Sequence, residues 1–266
     1  ERAIADALER AGGVIAEKQL LEMPELAGVK DKNAIVFFLD LCQLVNRRKG
    51  DDQFEVRWQS KEAPAAKIEN AVAELASELA SSKATLSESE IHVRLASFLK
   101  KSSIESIKPA VANTYLTLSK QIQKNAWNEY GHVESPFVRP RGMRESAFVA
   151  LARAKEPLHF REIARRIGDF TARSVHVQTV HNELIKDDRF VLVGRGLYAL
   201  REWGYEPGFI KDVLVQLLKE HGALTREEIL AEALKRRQVK PSTVFINLQN
   251  KNVFKAEDNG TYTLIS

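Results

Sequence analysis

The chain has 266 residues, 40 Lys plus Arg against 36 Asp plus Glu, 44% apolar residues and a single cysteine. At 29% charged, with no run near the roughly 18 consecutive apolar residues that a spanning helix needs, it does not read as a membrane protein. The lone Cys42 excludes a disulfide framework and a cysteine zinc site, which fits a reducing compartment and an expected cytoplasmic location. The first residues, Glu-Arg-Ala-Ile, open inside an amphipathic pattern with neither Met nor a signal-peptide layout, so a longer protein is expected to extend upstream.

Four segments share one spacing: Leu or Ile, three residues, Glu or Gln, then Leu or Ile. They are residues 15–20, 86–91, 158–163 and 224–229, with anchors 71, 72 and 66 residues apart. Each follows an amphipathic stretch and precedes a second helix, a third helix and a pair of short strands. This predicts four modules of one design, at residues 1–61, 65–138, 141–206 and 207–266.

In the first module a helix carries Ile4 and Leu8, a second covers 15–21, a third runs from Asn33 to Val45, and strands flank residues 49–52. The third helix is apolar nearly all round, through Ile35, Phe37, Phe38, Leu41 and Leu44. It is either buried against a neighbouring module, the reading preferred here, or a protein-binding surface. Cys42 within it reads as a small core residue. The second module allows helices through Ile68 to Leu79, Ile91 to Phe98 and Val111 to Leu118. A wing is suggested near residues 127–133, and a purely helical domain stays open.

The third module pairs Phe148 and Leu151 with helices at 158–167 and near 177–186. Strands at 190–193 and 197–200 then turn at Gly194-Arg195-Gly196. In the fourth, Ile210, Val213, Leu214, Leu217 and Leu218 form a helical stripe that stops at Gly222, and Thr225 with Glu228 makes a capping box. A third helix opens at Pro241 with Val244, Phe245 and Leu248 inward, and Asn259-Gly260 turns a terminal hairpin. The expected fold class is therefore mainly α with small β-hairpin wings, α+β, as tandem winged-helix repeats. Linkers are expected at residues 61–64, 135–142 and 203–208. The last is short enough to make modules three and four a rigid pair, while the longer joins hinge.

Residues 157–204, from Pro-Leu-His-Phe-Arg-Glu-Ile-Ala to Val-Gly-Arg-Gly-Leu-Tyr-Ala-Leu-Arg-Glu-Trp-Gly, resemble the HARE-type helix-turn-helix family. That winged-helix family includes the N-terminal domain of the bacterial RNA polymerase delta subunit, and the resemblance implies transcription or other DNA transactions. It covers about a quarter of the chain. The whole chain also resembles bacterial sigma-factor-like proteins that carry such a domain.

Formal charges of −1, 0, +3 and +2 for residues 1–61, 62–140, 141–206 and 207–266 put the basic excess in the C-terminal half. That half is the expected DNA-binding one, although small excesses are also ordinary for soluble domains. In the third module Val177, Val180 and Leu184 are expected to face inward. Gln178, Thr179, His181, Asn182 and Lys186 are then left outward, with Arg195 on the wing. In the fourth, Thr243, Asn247, Gln249, Asn250 and Lys251 offer a similar face, preceded by Lys235-Arg236-Arg237 and Lys240. A merely solvated helix face would carry the same residue types, and the basic run could instead complement a helix dipole.

No Gly-rich phosphate loop, His-Glu-x-x-His or Gly-x-Ser-x-Gly is present, and His159, His176 and His181 lack the partners of a metal site. The sequence therefore predicts a non-enzymatic protein without cofactor or metal, binding duplex DNA and serving transcription in the cytoplasm at the bacterial nucleoid. RNA polymerase is a second expected partner. The rival expectation is an interaction scaffold that contacts polymerase or another protein with little DNA affinity.

Overall fold

The repeated spacing is the signature of a short strand that passes directly into a helix. In the computed structural model its first Leu or Ile lies on a strand and its last is a fully buried helical residue: Leu20, Ile91, Ile163 or Ile229. The structure describes residues 2–26, 28–104, 107–205, 210–237 and 239–265. The linker expected at 203–208 runs into residues 206–209, outside the described residues.

Four times the chain follows the order helix, strand, helix, helix, strand, strand. The first set is α1 (Arg2–Arg10), β1 (Val14–Ala16), α2 (Glu17–Leu20), α3 (Lys32–Leu41), β2 (Val45–Arg48) and β3 (Arg57–Ser60). The second is α4 (Ala65–Ser82), β4 (Thr85–Leu86), α5 (Glu88–Lys101), α6 (Pro109–Leu116), β5 (Ile122–Lys124) and β6 (Tyr130–His132). The third is α7 (Gly142–Ala154), β7 (Leu158–His159), α8 (Phe160–Thr171), α9 (Val177–Lys186), β8 (Phe190–Gly194) and β9 (Leu197–Leu200). The fourth is α10 (Ile210–His221), β10 (Leu224–Thr225), α11 (Arg226–Arg236), α12 (Pro241–Leu248), β11 (Phe254–Ala256) and β12 (Thr261–Leu264). The protein is thus of mixed helix and strand content, with small antiparallel sheets.

Each sheet has three strands with the return strand in the middle: β1-β3-β2, β4-β6-β5, β7-β9-β8 and β10-β12-β11. The first strand had no counterpart in the sequence expectation, which held only a hairpin. Its anchor residue faces an aromatic partner every time, in the pairs Ile15 with Trp58, Leu86 with Tyr130, Leu158 with Tyr198 and Leu224 with Tyr262. A large ring opposite an aliphatic side chain is a favourable cross-strand pair, and it ties the second helix to the hairpin. The Glu or Gln of the spacing serves different ends. Glu90 and Glu228 close capping boxes with Ser87 and Thr225. Gln19 accepts the Thr117 hydroxyl at 2.8 Å, and Glu162 binds Arg165 and Arg166.

The chain divides into two compact units, Glu1–Arg139 and Pro140–Ser266. In the first, modules one and two share a seam in place of the expected hinge at 61–64. Val14, Ala16 and Phe54 of module one lie in the core of module two. Phe54 bridges to Ser119, and the Tyr115 hydroxyl donates to the Gly12 carbonyl at 2.7 Å. Gly12 adopts φ +96°, and a Cβ there would stand 2.5 Å from Val111 Cγ1 and 2.6 Å from the Tyr115 oxygen, so only glycine fits. Arg57, almost fully buried, donates to Glu69 of α4 at 2.7 Å and to the carbonyls of Lys49 and Glu55.

Two expectations about module one need correction. α3 ends at Leu41, and Val45 belongs to a strand. Its apolar face is also not covered: Ile35 and Leu39 are buried, as is Cys42 just past its end, but Phe37, Phe38 and Leu41 are exposed, and so is Leu44 in the following turn. Hydrophobic content on both sides of a helix does not say whether a neighbour exists for the second side. In module two the residues near 127–133 do form a hairpin, β5 with β6.

Candidate nucleic-acid interface

α9 is held in module three by Val180 and Leu184, both essentially buried. Val177, expected inward, is 36% exposed, because it is the first helical residue and stands clear of the core. The solvent face carries Gln178, Thr179, Asn182 and Lys186. Gln178 Nε2 donates to Asn182 Oδ1 at 3.0 Å, so the two amides are paired along one face at i and i+4. Ile185 also lies on the exposed side, an apolar residue that the sequence reading did not place there.

His181, expected among the outward side chains, is half-buried. Its ring stacks on Phe160 at 4.4 Å with 27° between planes, and meets Tyr198 edge-on at 5.9 Å. His159 lies 4.4 Å from the same Phe160. This stack links α8, α9 and β9. The β8–β9 turn closes on it, since Phe160 N donates to the Gly196 carbonyl and a Cβ on Gly196, at φ +69°, would sit 2.6 Å from His159 Nε2. His181 is thus held by ring contacts to Phe160 and Tyr198 and does not stand on the open solvent face of α9. Arg195, next to Gly196, is exposed at the turn. Beside the core, Val191, Val193 and Ala199 of the β8–β9 hairpin form a second small cluster with Trp203 and Tyr205.

Which cations remain available is decided by ion pairing. Glu162 is held down at about 2 by hydrogen bonds from Arg165 and Arg166, so those two guanidiniums are neutralised on their own helix. Asp187 is lowered by Arg189 and Glu183 by Arg144, and Lys186 lies 3.8 Å from Glu183. By contrast Arg161, Arg173 and Arg195 are exposed and have no carboxylate within 4 Å among the described residues. They lie at the start of α8, in the turn between α8 and α9, and in the turn between β8 and β9. The sequence reading singled out only Arg195. For Arg161 the signal was the absence of an acid at helical spacing, whereas Arg165 has Glu162 and Asp169 at −3 and +4; Arg173 has Asp169 at −4 but lies beyond the end of α8, where that spacing no longer brings the two together.

Module four is less open. Thr243 is half-buried, and Asn247 Nδ2 donates to the Thr243 carbonyl of its own helix at 2.8 Å. Ile246, 66% exposed, occupies the middle of the solvent face. Phe245, expected inward, is half-buried under the Arg226 guanidinium at 3.7 Å from the ring centroid. Gln249, Asn250, Lys251 and Lys240 are exposed. The basic run is largely used internally. Lys235 pairs with Glu232, Arg236 with Glu220, and Arg237 is buried, which lowers its pKa through desolvation.

Among the described residues no group of three or more His, Cys, Asp or Glu is placed to hold a metal ion. No described helix is long and apolar enough to cross a membrane. No family model and no curated protein matches this chain.

Proposed function

We propose that each of the four modules is a winged helix and that the chain is a non-enzymatic DNA-binding factor of bacterial transcription. α9 and its wing make the principal contact, and α12 assists. The observation that carries this reading is the third module's surface, where paired amides at 178 and 182 stand on the same module as three unneutralised arginines at 161, 173 and 195. Amides suit adenine edges in the major groove, and guanidiniums suit phosphates or a narrow minor groove. An association with RNA polymerase, at the nucleoid in the cytoplasm, follows from the resemblance to the polymerase delta subunit domain.

Fluorescence anisotropy of the whole chain with a labelled duplex tests it. Three phosphates neutralised give a slope of about 2.7 in log affinity against log salt, so affinity should fall about 40-fold between roughly 50 and 200 mM salt. Absence of binding at the lower salt, or binding indifferent to salt, sinks the proposal. The exposed apolar face of α3 favours a second reading in which the chain acts as a protein-interaction scaffold.

A further inference from the structure

Ile185 stands near the end of α9 and is 64% exposed, at a position where a β-branched side chain serves neither the core nor helix propensity. A lone exposed isoleucine is ordinary on a protein surface, so its neighbours on the helix decide what it means. Buried Val180 and Leu184 fix the inward direction, and with about 3.6 residues per turn Asn182 points away from them. Gln178, Asn182 and Ile185, at i, i+4 and i+7, fall within an arc of about 60° on that outward side. The first two are joined by their 3.0 Å amide hydrogen bond, and the third continues the same line. Module four repeats the feature: Ile246 is 66% exposed on α12, one turn after exposed Ser242.

A helix lying along the major groove reaches successive base edges with side chains at this spacing. Every base presents hydrogen-bonding atoms there, but thymine alone among the four adds an apolar group, its C5-methyl. An isoleucine cannot hydrogen-bond, and against any other base it would cover polar atoms without replacing their water. Opposite a thymine methyl it loses its own exposed surface and covers an apolar group. The scale agrees as well. Asn182 and Ile185 are three residues apart, about 4.5 Å along the axis, against about 3.4 Å between base pairs.

We infer that Ile185 is the residue by which α9 selects thymine, through contact with the C5-methyl group next to an adenine bound by the amides. The inference rests on the proposed DNA-binding reading of α9 and names what that helix selects, adjacent A·T pairs.

The test uses the whole chain and a duplex that it selects from a random-sequence pool, read by competition anisotropy. Deoxyuridine then replaces thymine at one position at a time, which removes the methyl group and leaves every phosphate and hydrogen-bonding atom in place. At one thymine the replacement should weaken binding about fourfold, the worth of burying a single methyl. In Ile185→Ala that position should become indifferent to the methyl, with the salt dependence and the far-ultraviolet circular dichroism unchanged. Absence of any duplex binding removes the DNA-binding reading and this inference together. Salt-dependent binding that ignores every uracil replacement leaves that reading standing and overturns the inference alone. A sensitive thymine that stays sensitive in Ile185→Ala, or becomes indifferent only in Ile246→Ala, overturns the assignment to Ile185. The uracil series is measured on the unaltered chain, so it decides the base class even if Ile185→Ala fails to fold.

Discussion

Arg57→Ala tests whether the seam between modules one and two is held by a buried ion pair. The Arg57 side chain is 5% exposed and Glu69 12%. Besides the 2.7 Å contact between them, the guanidinium donates to two backbone carbonyls and lies 5.0 Å from the Phe54 ring. Breaking a buried pair by removing one partner costs about 3–5 kcal/mol. Truncating the arginine should fall toward the lower part of that range, because Glu69 keeps Arg48 at 2.8 Å and is not stranded. Glu69→Ala should cost more, because it leaves a buried cation whose only remaining carboxylate among the described residues is Asp51 at 3.8 Å, half exposed. Urea unfolding read by tryptophan fluorescence suits the test, since Trp58 is fully buried in module one. A double-mutant cycle between Arg57 and Glu69 should return a coupling of about 1–3 kcal/mol. By comparison, loss of the solvent-exposed Arg94–Glu78 pair should be barely detectable. If Arg57→Ala costs no more than that surface pair, the seam owes its stability to apolar contacts and the electrostatic argument fails.

Gly12→Ala should destabilise the first compact unit by about 1–3 kcal/mol, since it meets both a positive φ and the Tyr115 ring, and thermal unfolding would show it. Glu162, whose folded pKa lies at about 2, contributes stability that is present above its unfolded value and lost as pH falls toward 2. Glu162→Gln should therefore flatten the acid limb of unfolding measured between about pH 4.5 and 2. On DNA, Arg173→Ala and Arg195→Ala should each lower the salt slope by about 1 on any sequence. Gln178→Ala should cost about 1–3 kcal/mol on a preferred site and little on random duplex, as read by competition anisotropy. Equal, small effects from all three would mean that this surface is only solvated.

The sequence alone placed the elements whose signals are local. Apolar stripes such as Ile210 to Leu218, the Thr225/Glu228 capping box, Pro241 at a helix start and Asn259-Gly260 at a turn each act within a few neighbouring residues, so their geometry is legible in order. The recurring spacing was legible as well. Its meaning was not, because β4, β7 and β10 are two residues long, too short to show alternation, and exist only through pairing with a strand tens of residues away. Val180 and Leu184 of the inward stripe of α9 followed from periodicity, while Val177 at the helix start is exposed and His181 was drawn into the Phe160 stack by contacts between separate elements. The same holds for charge. Twelve basic residues in 141–206 look alike in a count, but only the folded module decides that Arg165 and Arg166 share Glu162 while Arg161, Arg173 and Arg195 stay open. Tertiary structure also decided the fate of α3. Hydrophobicity is a property of the side chain, whereas burial depends on whether a neighbour arrives, and none does at Phe37 and Phe38.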